Sequence, residues 1–169
     1  MVAGDTRVLA LGSLPGEASL AASRYYEHPQ NQFWRLIGEV IGHDLAVLNY
    51  DARLAALLAA KIGLWDTVAS AQRPGSLDSA LRDVEATALG DLVAALPELR
   101  AVAFNGATAA RIGRKALGET SLALLDLPSS SPAYAAMAFA EKAQQWKSLR
   151  EFVDQPCDDV TAMPDSTAP

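Results

Sequence analysis

Short apolar runs alternate along the chain with stretches whose apolar positions recur every three or four residues, the marks of buried strands and of amphipathic helices. Residues 7–11 form an apolar run that ends at Gly12 and feeds the glycine-rich turn GSLPGEAS. Beyond Asn31, the residues Phe33, Trp34, Ile37, Val40 and Ile41 share one helical face. A second helix reads from Asp51 as N-cap through Leu54, Leu57 and Leu58 to Ala60. Residues 62–68 read as a strand, and 70–79, with Arg73, Pro74 and Gly75, as an exposed loop. A helix over 88–96 precedes an apolar strand over 101–104; Asn105 and Gly106 then lead into a helix over 107–117, closed by Gly118. Residues 121–127 make a fourth strand. After LPSSSP a long helix is predicted over 132–153, with Ser131 as N-cap and Pro132 in the first helical position.

Strands that alternate with helices predict the α/β class, here a three-layer α/β/α arrangement around a central, mainly parallel four-stranded sheet. In such sheets ligands bind outside the carboxyl ends of the strands. GSLPG, the loop over 65–79, Asn105 with Gly106, and LPSSSP all fall at those ends, so four loops converge on one crevice. The domain spans residues 1–153. The stretch 154–169, rich in Pro, Asp, Ser and Thr, reads as a disordered acidic tail.

Composition adds limits. Half of the 169 residues are hydrophobic and a fifth are charged, an ordinary globular balance that suits one domain. No apolar run approaches the ~20 residues that cross a bilayer. The start, MVAGDTRVLA, lacks the layout of a signal peptide, so a cytoplasmic location with no membrane partner is expected. Cys157 is the only cysteine, which excludes an internal disulfide and a cysteine-built metal site. His28 and His43 are too few and too far apart to suggest a metal site, so neither metal nor cofactor is implied. The net charge of −6 speaks against a broad basic face for nucleic acid. Four of the acids lie in the tail, however, leaving 14 basic against 16 acidic residues, a net of −2, in the rest. A protein that touches few phosphates can use backbone amides and helix N-termini instead.

GSLPG alone says little, because Gly and Pro in a turn serve backbone geometry as readily as chemistry. The longer block GSLPGEASLAASRYYEHPQNQFWRLIG, followed downstream by FNGATAA and LPSSSPAYA, is more specific. Together these segments resemble the uracil-DNA glycosylase superfamily, most closely its hypoxanthine-DNA glycosylase branch and next its mismatch-specific uracil glycosylases. The resemblance runs from Arg7 to about Val153.

It implies a metal-independent, monofunctional enzyme that hydrolyses the bond between deoxyribose and a deaminated base, hypoxanthine foremost, in base-excision repair. Its partner would be DNA containing deaminated bases, with no obligate protein partner evident. It puts Asn31, in HPQNQFW, in the catalytic role, orienting a water and favouring developing charge; read from the residues alone, Asn31 also suits a helix cap. Gly12, Ser13 and Leu14 would border the base, with Tyr26 as its stacking surface and Tyr25 and Phe33 as alternatives. Trp65 and Asp66 would edge the pocket, Asp66 accepting from a purine N–H. Asn105 is a candidate for a base-edge contact, or simply a turn residue. Ser129, Ser130, Ser131, Pro132 and Tyr134 match the segment that meets the duplex, with Ser130 and Ser131 at phosphate and Tyr134 or Ala133 at the wedge. Trp34 reads as core, and Arg111, Arg114 and Lys115 as a solvated helix face.

The chain departs from the family pattern twice. Leu14 stands where many members carry Asp or Asn, which argues against water activation at that turn; Glu17 nearby is a back-up carboxylate. Ser129 stands where uracil-specific members carry His, so leaving-group stabilisation by a histidine is absent. No lysine falls in the matching motifs, so a Schiff-base lyase step is not expected. Two other readings remain: a mismatch-type uracil glycosylase, and a catalytically silent nucleic-acid-binding domain of the same fold.

Overall fold

The computed structural model describes residues 1–14, 17–22, 24–72 and 82–153. The predicted tail over 154–169, the loop over 73–79 and the Glu17 side chain lie outside the described residues.

Four parallel strands form the sheet: β1 (Val8–Gly12), β2 (Ile62–Asp66), β5 (Ala101–Asn105) and β6 (Ala123–Leu127). Their order is β2-β1-β5-β6. Every residue of β1 is buried, as a strand covered on both faces requires. Side chains of β1 alternate between two cores. Val8 and Ala10 join Ile62, Leu64, Ala101 and Ala103 against α2 (Phe33–Ile41), α3 (Tyr50–Ala59) and α6 (Phe139–Trp146). Leu9 and Leu11 join Val102 and Phe104 on the other face, against α4 (Leu89–Ala94) and α5 (Ala107–Leu117). The three-layer α/β/α expectation holds. None of the described helices is long and apolar enough to cross a membrane.

The chain leaves β1 toward β2 on one side and returns to β5 on the other, so the switch point of the sheet lies between β1 and β5. Parallel register sets Gly12 beside Asp66 and Asn105 beside Leu127, placing the candidate residues at one end of the sheet.

Three local expectations are corrected. A short helix, α1 (Glu17–Ala22), follows the first turn. Beyond β2 the chain continues into β3 (Val68–Gln72), which pairs antiparallel with β4 (Arg82–Ala86), so residues 70–72 are strand. The cap of α3 is Asn49, whose side chain accepts from Ala52 N–H at 2.9 Å. Asp51 lies in the first turn, where its charge favours the helix dipole.

The largest difference is after β6. Instead of a helix over 132–153, residues 131–134 make one turn, closed by Tyr134 N–H to Ser131 O at 3.0 Å, and α6 begins only at Phe139. Ser129 Oγ accepts from Ser131 N–H and Ser131 Oγ from Ala133 N–H, both at 3.2 Å. Such local side-chain bonds compete with helical pairing. Glu141 marks the true start, accepting from Ala138 N–H at 3.1 Å. A 3-10 turn, Lys147–Glu151, ends the described domain.

Candidate active site

Gly12 ends β1 in a space that a side chain could share only by displacing its neighbours. A Cβ added there would stand 2.8 Å from Asp66 Oδ1 and 3.3 Å from Tyr26 Oη. Thr67 and Val68 hold the turn from beneath, their N–H groups donating to Gly12 O (2.8 Å) and Ser13 O (3.0 Å). Ser13 is buried and Leu14 half-buried. Asp66 is fixed from behind, its carbonyl accepting from Thr87 Oγ1 at 2.9 Å. Burial, partly offset by the chain's amino group, pushes the Asp66 carboxyl up to about 6.

Tyr26 has φ 53°, a left-handed conformation that costs a non-glycine residue on the order of 1–3 kcal/mol. Its ring lies flat on Phe33, centroids 3.8 Å apart and planes at 12°, while the Trp34 ring meets both edge-on. Phe33 is wholly buried, and Trp34 nearly so. Phe33 is therefore corrected from base contact to the wall that backs Tyr26. Tyr25 is half-buried beside them, its N–H donating to Tyr50 Oη at 2.9 Å; burial first, then the Asp66 charge and Tyr50, pushes its hydroxyl up to about 12. Trp65 is a second correction. Strand alternation turns it to the opposite face, where it packs with the Leu9 and Leu11 core.

Asn31 sits at the entry to α2. Its N–H donates to His28 O at 2.8 Å, and its Oδ1 accepts from Phe33 N–H at 2.9 Å. Gln30 N–H donates to His28 Nδ1 at 3.2 Å, so HPQN is a compact turn organised by an exposed histidine. The side chain of Asn31 thus holds the first N–H of α2 from one residue ahead of its N-cap, Gln32, and the same bond restricts its rotation. Next to it, Gln32 N–H donates to Ser130 O at 2.9 Å, joining this turn to the LPSSSP loop.

Asn105 and Ser130 are bound to each other. Asn105 Nδ2 donates to Ser130 Oγ, and Ser130 N–H donates to Asn105 Oδ1, both at 2.8 Å. Asn105 is accordingly a strut for the loop, and Ser130, with no exposure, is corrected from phosphate contact to buried anchor. Gly106 takes φ 98°, and a Cβ there would stand 3.0 Å from Ser129 Cβ; only glycine lets the two loops approach so closely. The outer part of the loop stays accessible: Ser129 and Ser131 are half-exposed, Pro132 is exposed, and Tyr134 is 38% exposed. Ser131 caps a single turn, not a helix.

Two residues outside the predicted set belong to this assembly. Lys142 Nζ donates to Gln32 Oε1 (3.0 Å) and to Tyr134 O (2.8 Å). Phe139, Lys142, Ala143 and Trp146 share one helical stripe, so a lysine among apolar positions was the visible signal. Arg114 pairs with Asp126 (3.0 Å) and pins α5 to β6 away from the crevice, in keeping with a solvated helix face.

The fold is that of an α/β protein in which Gly12, Tyr26 and Asp66 meet at the carboxyl end of a parallel sheet, beside its switch point, with the Asn31–Gln32 turn bound to the loop over 128–134. The chain belongs to the uracil DNA glycosylase superfamily, whose family model matches residues 1–152. Over 102 residues it is 46% identical to a protein of Methanosarcina barkeri (strain Fusaro / DSM 804) named hypoxanthine DNA glycosylase. A protein of the same name from Methanosarcina acetivorans is 41% identical over 102 residues. Each match takes in 60% of this chain and 65% of the relative's length. The solution NMR structure of a candidate uracil DNA glycosylase from Methanosarcina acetivorans superposes with a TM-score of 0.77 at 33% identity, covering 89% of this chain and 93% of that one.

Proposed function

We propose that this protein is a DNA glycosylase that hydrolyses the N-glycosidic bond of deaminated bases, hypoxanthine first among them, with DNA as its partner. The observation that carries the reading is Asn31, whose side chain is held by the Phe33 N–H at the entry to α2, next to the Tyr26–Phe33 stack that abuts Gly12 and Asp66. The two relatives named hypoxanthine DNA glycosylase support the choice of base.

Cleavage of this bond passes through a sugar with oxocarbenium character, so the site must position a water and steady separated charge. Asparagine does not titrate in water and cannot act as a strong base. Asn31 instead supplies orientation: one lone pair of Oδ1 is taken by Phe33 N–H, and the other remains to accept from a water. Tyr26, backed by Phe33, offers a ring to an extruded base. Asp66, when ionised, accepts from a ring N–H at the edge of that base. Hypoxanthine carries such a hydrogen on N1; adenine does not, so the carboxylate favours the deaminated form. Ser129, Ser131, Pro132 and Tyr134 supply the duplex-facing edge.

The test is alkaline cleavage of end-labelled duplexes that carry a single hypoxanthine or uracil, incubated with the purified protein in EDTA. Strand scission at hypoxanthine is the expected result. Scission at uracil alone would move the protein to the mismatch-type reading, which the HPQNQFW block favours and Leu14 opposes. Binding without scission of either would identify a silent domain and overturn the proposal.

A further inference from the structure

Lys142 is 1% exposed, and both groups that accept from its Nζ are neutral. Nζ donates to the side-chain oxygen of Gln32 and the backbone oxygen of Tyr134, and lies 5.0 Å from the centre of the Tyr134 ring. Taking an ammonium out of water is costly, and neutral acceptors offset that cost only in part. Burial accordingly pulls its pKa below the usual lysine range. If stability alone were served, methionine or leucine would fill this apolar stripe of α6 at lower cost. The position says what the charge achieves. Gln32 follows Asn31 directly, and Tyr134 closes the turn that carries the exposed edge of the LPSSSP loop. One helical turn on, Trp146 Nε1 donates to Pro128 O at 3.0 Å, so α6 grips that loop at both ends.

We propose that Lys142 is a positioning residue: its ammonium locks the Asn31–Gln32 segment to the loop over 128–134, so that the catalytic amide and the duplex-facing edge keep one register. This rests on the glycosylase reading for its catalytic consequence, while the lock itself can be measured without turnover. The lock has three bonds, the two made by Nζ and the Gln32 N–H to Ser130 O bond between them.

Lys142→Met keeps the stem and removes the donors, and Gln32→Leu removes the facing acceptor. Hydrogen exchange at the residue 32 amide should accelerate at least ~10-fold in either variant; a misplacement of about 1 Å can cost on the order of 10²-fold in rate, so single-turnover base release should fall at least ~10-fold. The Kd for the same duplex should change less than about threefold, and the double variant should lose no more than the worse single one. Unchanged exchange, additive losses, or equal losses of rate and affinity would overturn the proposal. Should Lys142→Met fail to fold, Gln32→Leu carries the same readouts. Should the native protein release no base, exchange at residue 32 decides alone: acceleration sustains the lock while the glycosylase reading fails.

Discussion

Asn105 and Ser130, 25 residues apart, exchange two hydrogen bonds of 2.8 Å, each side chain serving the other as partner. Because Ser130 has no exposure, truncating Asn105 leaves a buried N–H and a buried hydroxyl without partners. Asn105→Ala should cost about 1–3 kcal/mol. A double cycle with Ser130→Ala should return a coupling on the order of 1 kcal/mol, read from denaturant unfolding. A loss within ~0.5 kcal/mol would show that the pair is no strut.

Asn31 combines capping with proposed chemistry, and two substitutions separate them. Asn31→Ala should lower single-turnover base release by ~10²-fold or more and also weaken the helix start by about 1 kcal/mol. Asn31→Ser keeps an oxygen for the Phe33 N–H and should restore stability without restoring turnover. Recovery of both together would reduce Asn31 to a cap.

Asp66 carries a pH dependence of defined sign. Its carboxyl titrates near 6 in the folded chain against 3.8 when unperturbed, so the folded state holds the proton more tightly. The stability this contributes is full below about pH 4 and is lost as pH rises through 6, a change on the order of 3 kcal/mol. Asp66→Asn should flatten that slope and raise Tm at pH 8 relative to the native chain. Base release should run the other way in the native protein, increasing as Asp66 ionises. An unaltered stability profile in Asp66→Asn would refute the assignment.

Gly12 tests the pocket by filling it. The Cβ of Gly12→Ala would stand 2.8 Å from Asp66 Oδ1, closer than real Cβ contacts allow, so the carboxylate must move. Base release should fall at least ~10-fold while affinity for undamaged duplex stays near the native value. Equal activity on hypoxanthine duplex would place the base elsewhere.

The sheet was legible because its strands are short apolar runs bounded by Gly and Asn, and because helices of clear period separate them. The helix predicted from Pro132 was not: Ser131 and Pro132 form a plausible start, yet Ser129 and Ser131 spend their hydroxyls on the local backbone. Asn31 and Tyr26 could be named from the motif block, and Asp66 from its place at the end of a strand. The facing of Trp65 and Phe33 could not, since one residue of strand register or one turn of helix decides between crevice and core. Lys142 escaped for another reason: its partners lie up to 110 positions away, a relationship no local pattern carries.

The contacts that build the rim, Gln32 to Lys142, Gln32 to Ser130 and Asn105 to Ser130, all join segments distant along the chain. None joins neighbours along the chain: the two made by Gln32 need the start of α2 against the loop over 128–134 and α6, and Asn105 to Ser130 needs β5 beside β6. The competent site is thus a property of the completed fold: on gradual denaturation, turnover should vanish with the global transition, and severing the chain between α3 and β5 should leave neither half with a partial activity of its own.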